Sequence, residues 1–149
     1  MANTFNISEA VSIAIHGIVA VAQNVKAIHN KELAAKINAS EAHLAKVFQR
    51  LVKSNLLKSV RGPKGGFVLA KPSEEISLLN IYEAIEGTLE ITKCQLHYEK
   101  CAFEHCVFSN TLQKITTEFK DYLQNTSLKD IVNNKSDEIE NSIPNNFIS

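Results

Sequence analysis

Three cysteines stand within thirteen residues, Cys94, Cys101 and Cys106, with His97 and His105 between them. Thiolates are soft, charged donors that suit ferrous or ferric iron, and a loop can wrap three of them onto one face of a cluster. An odd, tightly grouped set of cysteines is poor material for a disulfide framework. The chemistry open to it is an iron–sulfur cluster, a zinc site, or a thiol switch without metal. The spacing Cys94-x2-His97-x3-Cys101-x3-His105-Cys106 matches no common zinc pattern. No Ser–His–Asp set, paired carboxylates or metal-hydrolase motif accompanies the cysteines, so an enzyme is not expected. His16, on an apolar helix, reads as a core or interface histidine, and His29 as a solvated loop residue.

The second constellation is basic. The net charge is zero, yet residues 1–72 hold ten Lys and Arg against three acids, whereas residues 73–149 hold six against thirteen. A surplus on one half points to a polyanion partner for that half. Within it, Ser40, Glu41, His43, Lys46 and Arg50 fall along one helical stretch, and Arg61, Lys64 and Gly65 fall in a turn. These are the residue types that meet base edges and phosphates. Gly62-Pro63-Lys64-Gly65-Gly66 is not a nucleotide-binding loop: it lacks the spacer before Gly-Lys and the following Ser or Thr, and no helix begins there.

The elements that must position these groups follow from periodicity. Ile7 to Gln23 carries apolar residues at spacings of three and four, a helix that Asn6 can cap. Lys31 to Ile37 is a short helix, Asn38-Ala39-Ser40 a turn, and Glu41 to Ser54 a helix capped by Ser40 with Leu44, Val47, Phe48 and Leu51 inward. Two short helices joined by such a turn form a helix-turn-helix. Leu56 to Val60 and Phe67 to Ala70 read as strands around an Arg61–Gly66 turn, which makes a winged helix. Ser77 to Glu86 is a helix stopped by Gly87, residues 92–108 a loop, and Ser109 to Gln124 a helix with an apolar stripe. Leu112, Ile115, Phe119 and Leu123 of that stripe are expected to pack on a partner's equivalent helix. Ser127 to Val132 is one further turn, and the remainder a polar tail.

The stretch Arg61-Gly62-Pro63-Lys64-Gly65-Gly66-Phe67-Val68-Leu69-Ala70, followed by Ile76-Ser77-Leu78-Leu79-Asn80-Ile81-Tyr82-Glu83-Ala84-Ile85-Glu86-Gly87, resembles the bacterial winged-helix regulator family of IscR, NsrR and CymR. Leu44-Ala45-Lys46-Val47-Phe48-Gln49-Arg50-Leu51 is similar to that family's recognition helix, and the resemblance runs from about residue 7 to 130. It implies a homodimer joined through the helix near residues 109–124 and a palindromic operator. Members that hold a [2Fe–2S] or [4Fe–4S] cluster place three cysteines in this same loop, which implies Cys94, Cys101 and Cys106 as ligands here. The intervals differ slightly from the family's. One branch of the family takes its fourth ligand from a His three residues past the last Cys, where this chain has Ser109. Another takes an Asp from the partner's first helix, where this chain aligns Ser12, with Glu9 one turn earlier. The fourth ligand is therefore Glu9, His97, His105 or water.

A chain of 149 residues at 44% apolar is ordinary globular material, able to bury about 70% of its unfolded surface without disulfides. The apolar-rich run Ala10–Ala22 falls short of the roughly 20 residues that span a bilayer. The expected organisation is a mainly α winged helix-turn-helix over 1–90, a cysteine-bearing sensor loop over 91–108, a dimerisation helix region over 109–132 and a polar tail over 133–149. The expected function is that of a cytoplasmic, dimeric, sequence-specific DNA-binding transcription regulator, a repressor, that binds no membrane. Its cofactor is an iron–sulfur cluster sensing redox, nitric oxide or iron status, or none. The alternatives are a cluster-free thiol-redox or small-ligand regulator of the same fold, or an iron–sulfur protein using the winged helix for protein contacts.

Overall fold

The structure is a computed structural model that describes residues 7–91, 107, 108 and 110–133. Six α-helices and one hairpin follow in the order α1 (Glu9–Ala22), α2 (Asn30–Lys36), α3 (Glu41–Lys53), β1 (Leu57–Val60), β2 (Gly66–Leu69), α4 (Leu78–Glu86), α5 (Thr111–Asn125) and α6 (Leu128–Asn133), with one 3-10 turn at Ser73–Glu75. This is the mainly α winged helix-turn-helix expected from the sequence.

The helix ends show why the chain turns where it does. Ser8, not Asn6, caps α1: its hydroxyl accepts from the Val11 N–H at 3.2 Å, and Asn6 lies outside the described residues. Asn38 and Asn55 stand just past α2 and α3 in the left-handed conformation, at φ 53° and 56°. Asn tolerates that region better than other side-chain-bearing residues. Around Asn38, the Asn38 N–H reaches Ala35 O and the Ala39 N–H reaches Ala34 O. Around Asn55, the Asn55 N–H reaches Val52 O and the Leu56 N–H reaches Leu51 O. Both sets have the Schellman pattern, which satisfies orphan helix carbonyls and reverses the chain sharply. The turn of the helix-turn-helix and the start of the wing are thus built by the same device.

The hairpin pairs Leu57 with Leu69 and Val60 with Gly66. A single residue extends it on the far side: Ile28 bridges Phe67, with N–H to O distances of 3.2 and 2.9 Å. Gly66 permits this approach, because a Cβ there would run into the Ile28 carbonyl. The bridge anchors the wing to the segment that opens α2.

Val11, Ile18, Leu33, Leu44, Phe48, Leu51, Ile76 and Ile81 form the centre of one buried cluster, which Leu123 and Leu128 of α5 and α6 also enter. Phe48 is fully buried and meets Phe67 edge-on, ring centroids 4.9 Å apart. Such pairs stabilise beyond the area they bury. Ser77 caps α4 in a reciprocal box with Asn80. Backbone bonds from Leu78 N to Thr126 O and from Leu128 N to Ile76 O tie the C-terminal helices to the start of α4.

Two expectations change at this level. Leu123 is buried in its own chain, so it is not spare for a partner, and half-buried Phe119 stacks edge-on against Tyr82 at 5.9 Å. The exposed apolar groups on and before α5 are instead Val107, Phe108, Ile115 and Tyr122. His16 is exposed, which removes the core reading and leaves the interface one, with Nδ1 2.7 Å from the Ser12 carbonyl oxygen. Residues 92–106, expected as a loop and carrying Cys94, Cys101, Cys106, His97 and His105, lie outside the described residues, as do Ser109 and residues 134–149.

Candidate nucleic-acid interface

Helix α3 divides cleanly. Leu44, Val47, Phe48 and Leu51 are buried, whereas Glu41, Ala42, Lys46, Gln49, Arg50 and Lys53 are exposed. Ala42, Lys46, Gln49 and Lys53 lie opposite the buried stripe by the helical period, so they are the residues a groove would meet first. Gln49 was missed by sequence reasoning, although its amide is the type that pairs bidentately with adenine. Counting turns outward from Lys46 finds it.

The expected site residues divide into free and engaged groups. The Ser40 hydroxyl accepts from the His43 N–H at 3.1 Å and is the cap of α3. The Glu41 carbonyl accepts from Asn30 Nδ2 at 3.0 Å, which fixes the start of α2 on the start of α3. His43 is half-buried, its Nδ1 3.9 Å from a Glu9 carboxylate oxygen. Lys46, Arg61 and Lys64 are exposed, and among the described residues none of them has an acid partner: the ion pairs there are Glu9–His43 and Glu74–Lys129. An unpaired exposed cation gives up only water and counterions when it meets a phosphate.

Arg50 is different. Its Nη1 donates to the Ile85 carbonyl oxygen at 2.9 Å, at the C-terminal end of α4. Gly65 is also engaged: it is buried, its N–H donates to Gly62 O at 2.9 Å, and a Cβ there would strike the Val60 carbonyl. It shapes the wing, and its N–H is not free for phosphate. His29, exposed as expected, places Nε2 3.3 Å from the Pro63 carbonyl oxygen, within hydrogen-bond reach of the wing tip. The wing is therefore held at two points near α2, the Ile28–Phe67 bridge and this contact.

Of the residues proposed to hold a cluster, only the candidate Glu9 is described, at the exposed start of α1 beside His43. Among the described residues no group of three or more His, Cys, Asp or Glu comes together as a metal site. No described helix is long and apolar enough to cross a membrane.

The comparisons agree with this architecture. A putative HTH-type transcriptional regulator of Aquifex aeolicus is 29% identical over 130 residues, covering 85% of this chain and 90% of that one. The HTH-type transcriptional regulator IscR of Pectobacterium atrosepticum is 29% identical over 116 residues, covering 73% and 71%. The crystal structure of Staphylococcus aureus CymR superimposes with a TM-score of 0.72 at 26% identity, covering 87% of this chain and all of that one. The relatives named by function are transcription regulators rather than enzymes. Residues 7–134 match the Rrf2 family, described as iron-dependent transcriptional regulators. This chain belongs to the Rrf2 family of transcriptional regulators.

Proposed function

We propose that the protein is a dimeric, sequence-specific DNA-binding repressor of the cytoplasm. The observation that carries this reading is that Lys46 on α3 and Arg61 and Lys64 on the wing are exposed and, among the described residues, have no acid partner. In this reading α3 enters the major groove with Gln49 and His43 toward base edges, and the wing tip lies against the flanking backbone. Selection of bound duplexes from a random pool, followed by footprinting, tests it. A palindromic site protected over two half-sites is expected, and protection without sequence preference contradicts it.

Cys94, Cys101 and Cys106 fit an iron–sulfur cluster by donor chemistry, since three thiolates within thirteen residues match what iron takes and an odd set is poor material for a disulfide framework. When bound, such a cluster supplies a group that oxygen, nitric oxide or iron scarcity can destroy. Ser substitution of any one cysteine is expected to abolish the visible chromophore of anaerobically purified protein, with iron and sulfide falling together. A wild-type protein that takes up no iron on anaerobic reconstitution would leave the cysteines as either a thiol switch or inert. DNA-binding assays with and without a disulfide-forming oxidant then choose between those two.

The dimer in this reading uses Val107, Phe108, Ile115 and Tyr122, whose exposure on one chain is otherwise unexplained. Ile115→Asp is expected to give a monomer by light scattering. Its affinity for the selected site should fall about 100-fold or more, because half of a two-site grip is lost. A fully dimeric Ile115→Asp protein places the interface elsewhere.

A further inference from the structure

We propose that Arg50 is a positioning residue rather than a phosphate contact, and that residues 83–89 make α3 and α5 move as one. The inference rests on the reading of α3 as the DNA-binding helix. Its observations are a set of bonds that converge on the end of α4. That helix leaves its last carbonyls without intrahelical partners, as every helix does. Gly87, at φ 88°, returns its N–H to Glu83 O at 3.0 Å. The N–H that a continued helix would give to the Ile85 carbonyl, that of Leu89, is taken by the Glu83 carboxylate at 3.0 Å. The Ile85 carbonyl is therefore left for another donor, and the Arg50 guanidinium supplies it at 2.9 Å. A cation at a helix C-terminus is favoured by the helix dipole, and a charged donor makes the stronger kind of hydrogen bond.

The same segment is held from the other side. Lys120 of α5 donates through Nζ to the Leu89 carbonyl oxygen at 2.7 Å, and the Ser8 hydroxyl at the start of α1 donates to the Glu86 carboxylate. Two cation–carbonyl bonds, Arg50 to Ile85 and Lys120 to Leu89, thus join the last turn of α3 to α5 through one short stretch of chain. Leu89 stands five residues before Cys94, next to the stretch assigned to sensing. A guanidinium that leaves Ile85 for a phosphate would strand a carbonyl and loosen α3 from α4.

The test compares the full-length wild type with Arg50→Ala, Arg50→Gln and Lys120→Ala on two probes, the duplex selected by the wild type and a scrambled duplex, across a salt series. Arg50→Gln keeps an N–H donor without charge, so it reports on charge even where Arg50→Ala folds poorly. For positioning, the salt slope stays at the wild-type value in all three variants. Arg50→Ala and Lys120→Ala each lower the preference for the selected duplex about tenfold while leaving the scrambled duplex unaffected. The double variant Arg50→Ala/Lys120→Ala is then no worse than Arg50→Ala alone, because both act through one link. A slope reduced by about 0.9 in Arg50→Gln, with both duplexes weakened equally, identifies a phosphate contact and overturns the inference alone. A wild type that selects no duplex overturns the DNA reading, and this inference with it. Strictly additive losses in the double variant overturn the coupling.

Discussion

Replacing Lys46, Arg61 and Lys64 together by Ala is expected to flatten the dependence of log affinity on log salt by about 2.7, since each phosphate contact contributes about 0.9. At ~0.1 M salt the same three losses lower affinity about 500-fold, on selected and scrambled duplexes alike. The reason is local. Each of the three is exposed and has no acid partner among the described residues, so removing it leaves no stranded charge and costs little in folding. The loss therefore reads as binding and not as damage. Gln49→Ala is the complementary variant: it carries no charge, so the slope stays fixed and the preference for the selected site falls. A triple variant with an unchanged slope would show that these cations face away from the nucleic acid.

Phe48→Ala is expected to destabilise the fold by about 3–5 kcal/mol, the range for deleting a fully buried aromatic ring. In a chain of this size that lowers the melting temperature by roughly 2–4 °C per kcal/mol. Phe48 has no exposed surface and meets Phe67 edge-on. Phe67 in turn exchanges both backbone bonds with Ile28. The cavity therefore opens where α3, the wing and the segment before α2 meet, and DNA binding should weaken even at temperatures where the variant remains folded. Val25→Ala, at a fully exposed side chain, should change stability by less than about 0.5 kcal/mol. Thermal and denaturant unfolding of the two variants checks both figures. Equal stabilities would mean that the Phe48 site collapses around the missing ring.

The sequence carried the elements further than their contacts. The three- and four-residue spacing of Leu44, Val47, Phe48 and Leu51 announces α3, and Ser40 announces its cap, because both signals are local. The wing strands sit within one residue of where alternation and the Gly-Pro turn put them. Ile28 escaped, since one bridging residue has no period to detect. An apolar stripe on a helix does not say which neighbour covers it, and α5 spends Leu123 on its own core rather than on a partner. Arg50 illustrates the same limit for charge. On a helical wheel it resembles Lys46, and only the packing of α4 against α3 shows the Ile85 carbonyl that occupies it. Gly65 shows it for the backbone: a turn glycine does not say what its N–H bonds to, and here Gly62 O within the wing takes it.

Whether α3 and the wing read a DNA sequence is decided by the ratio of wild-type affinities for the selected duplex and its scrambled counterpart at one physiological salt concentration. A preference of at least about 1,000-fold is what a regulator of this kind requires to find its site among competing sequence. Equal affinities for the two duplexes at that salt would show that α3 and the wing do not read sequence.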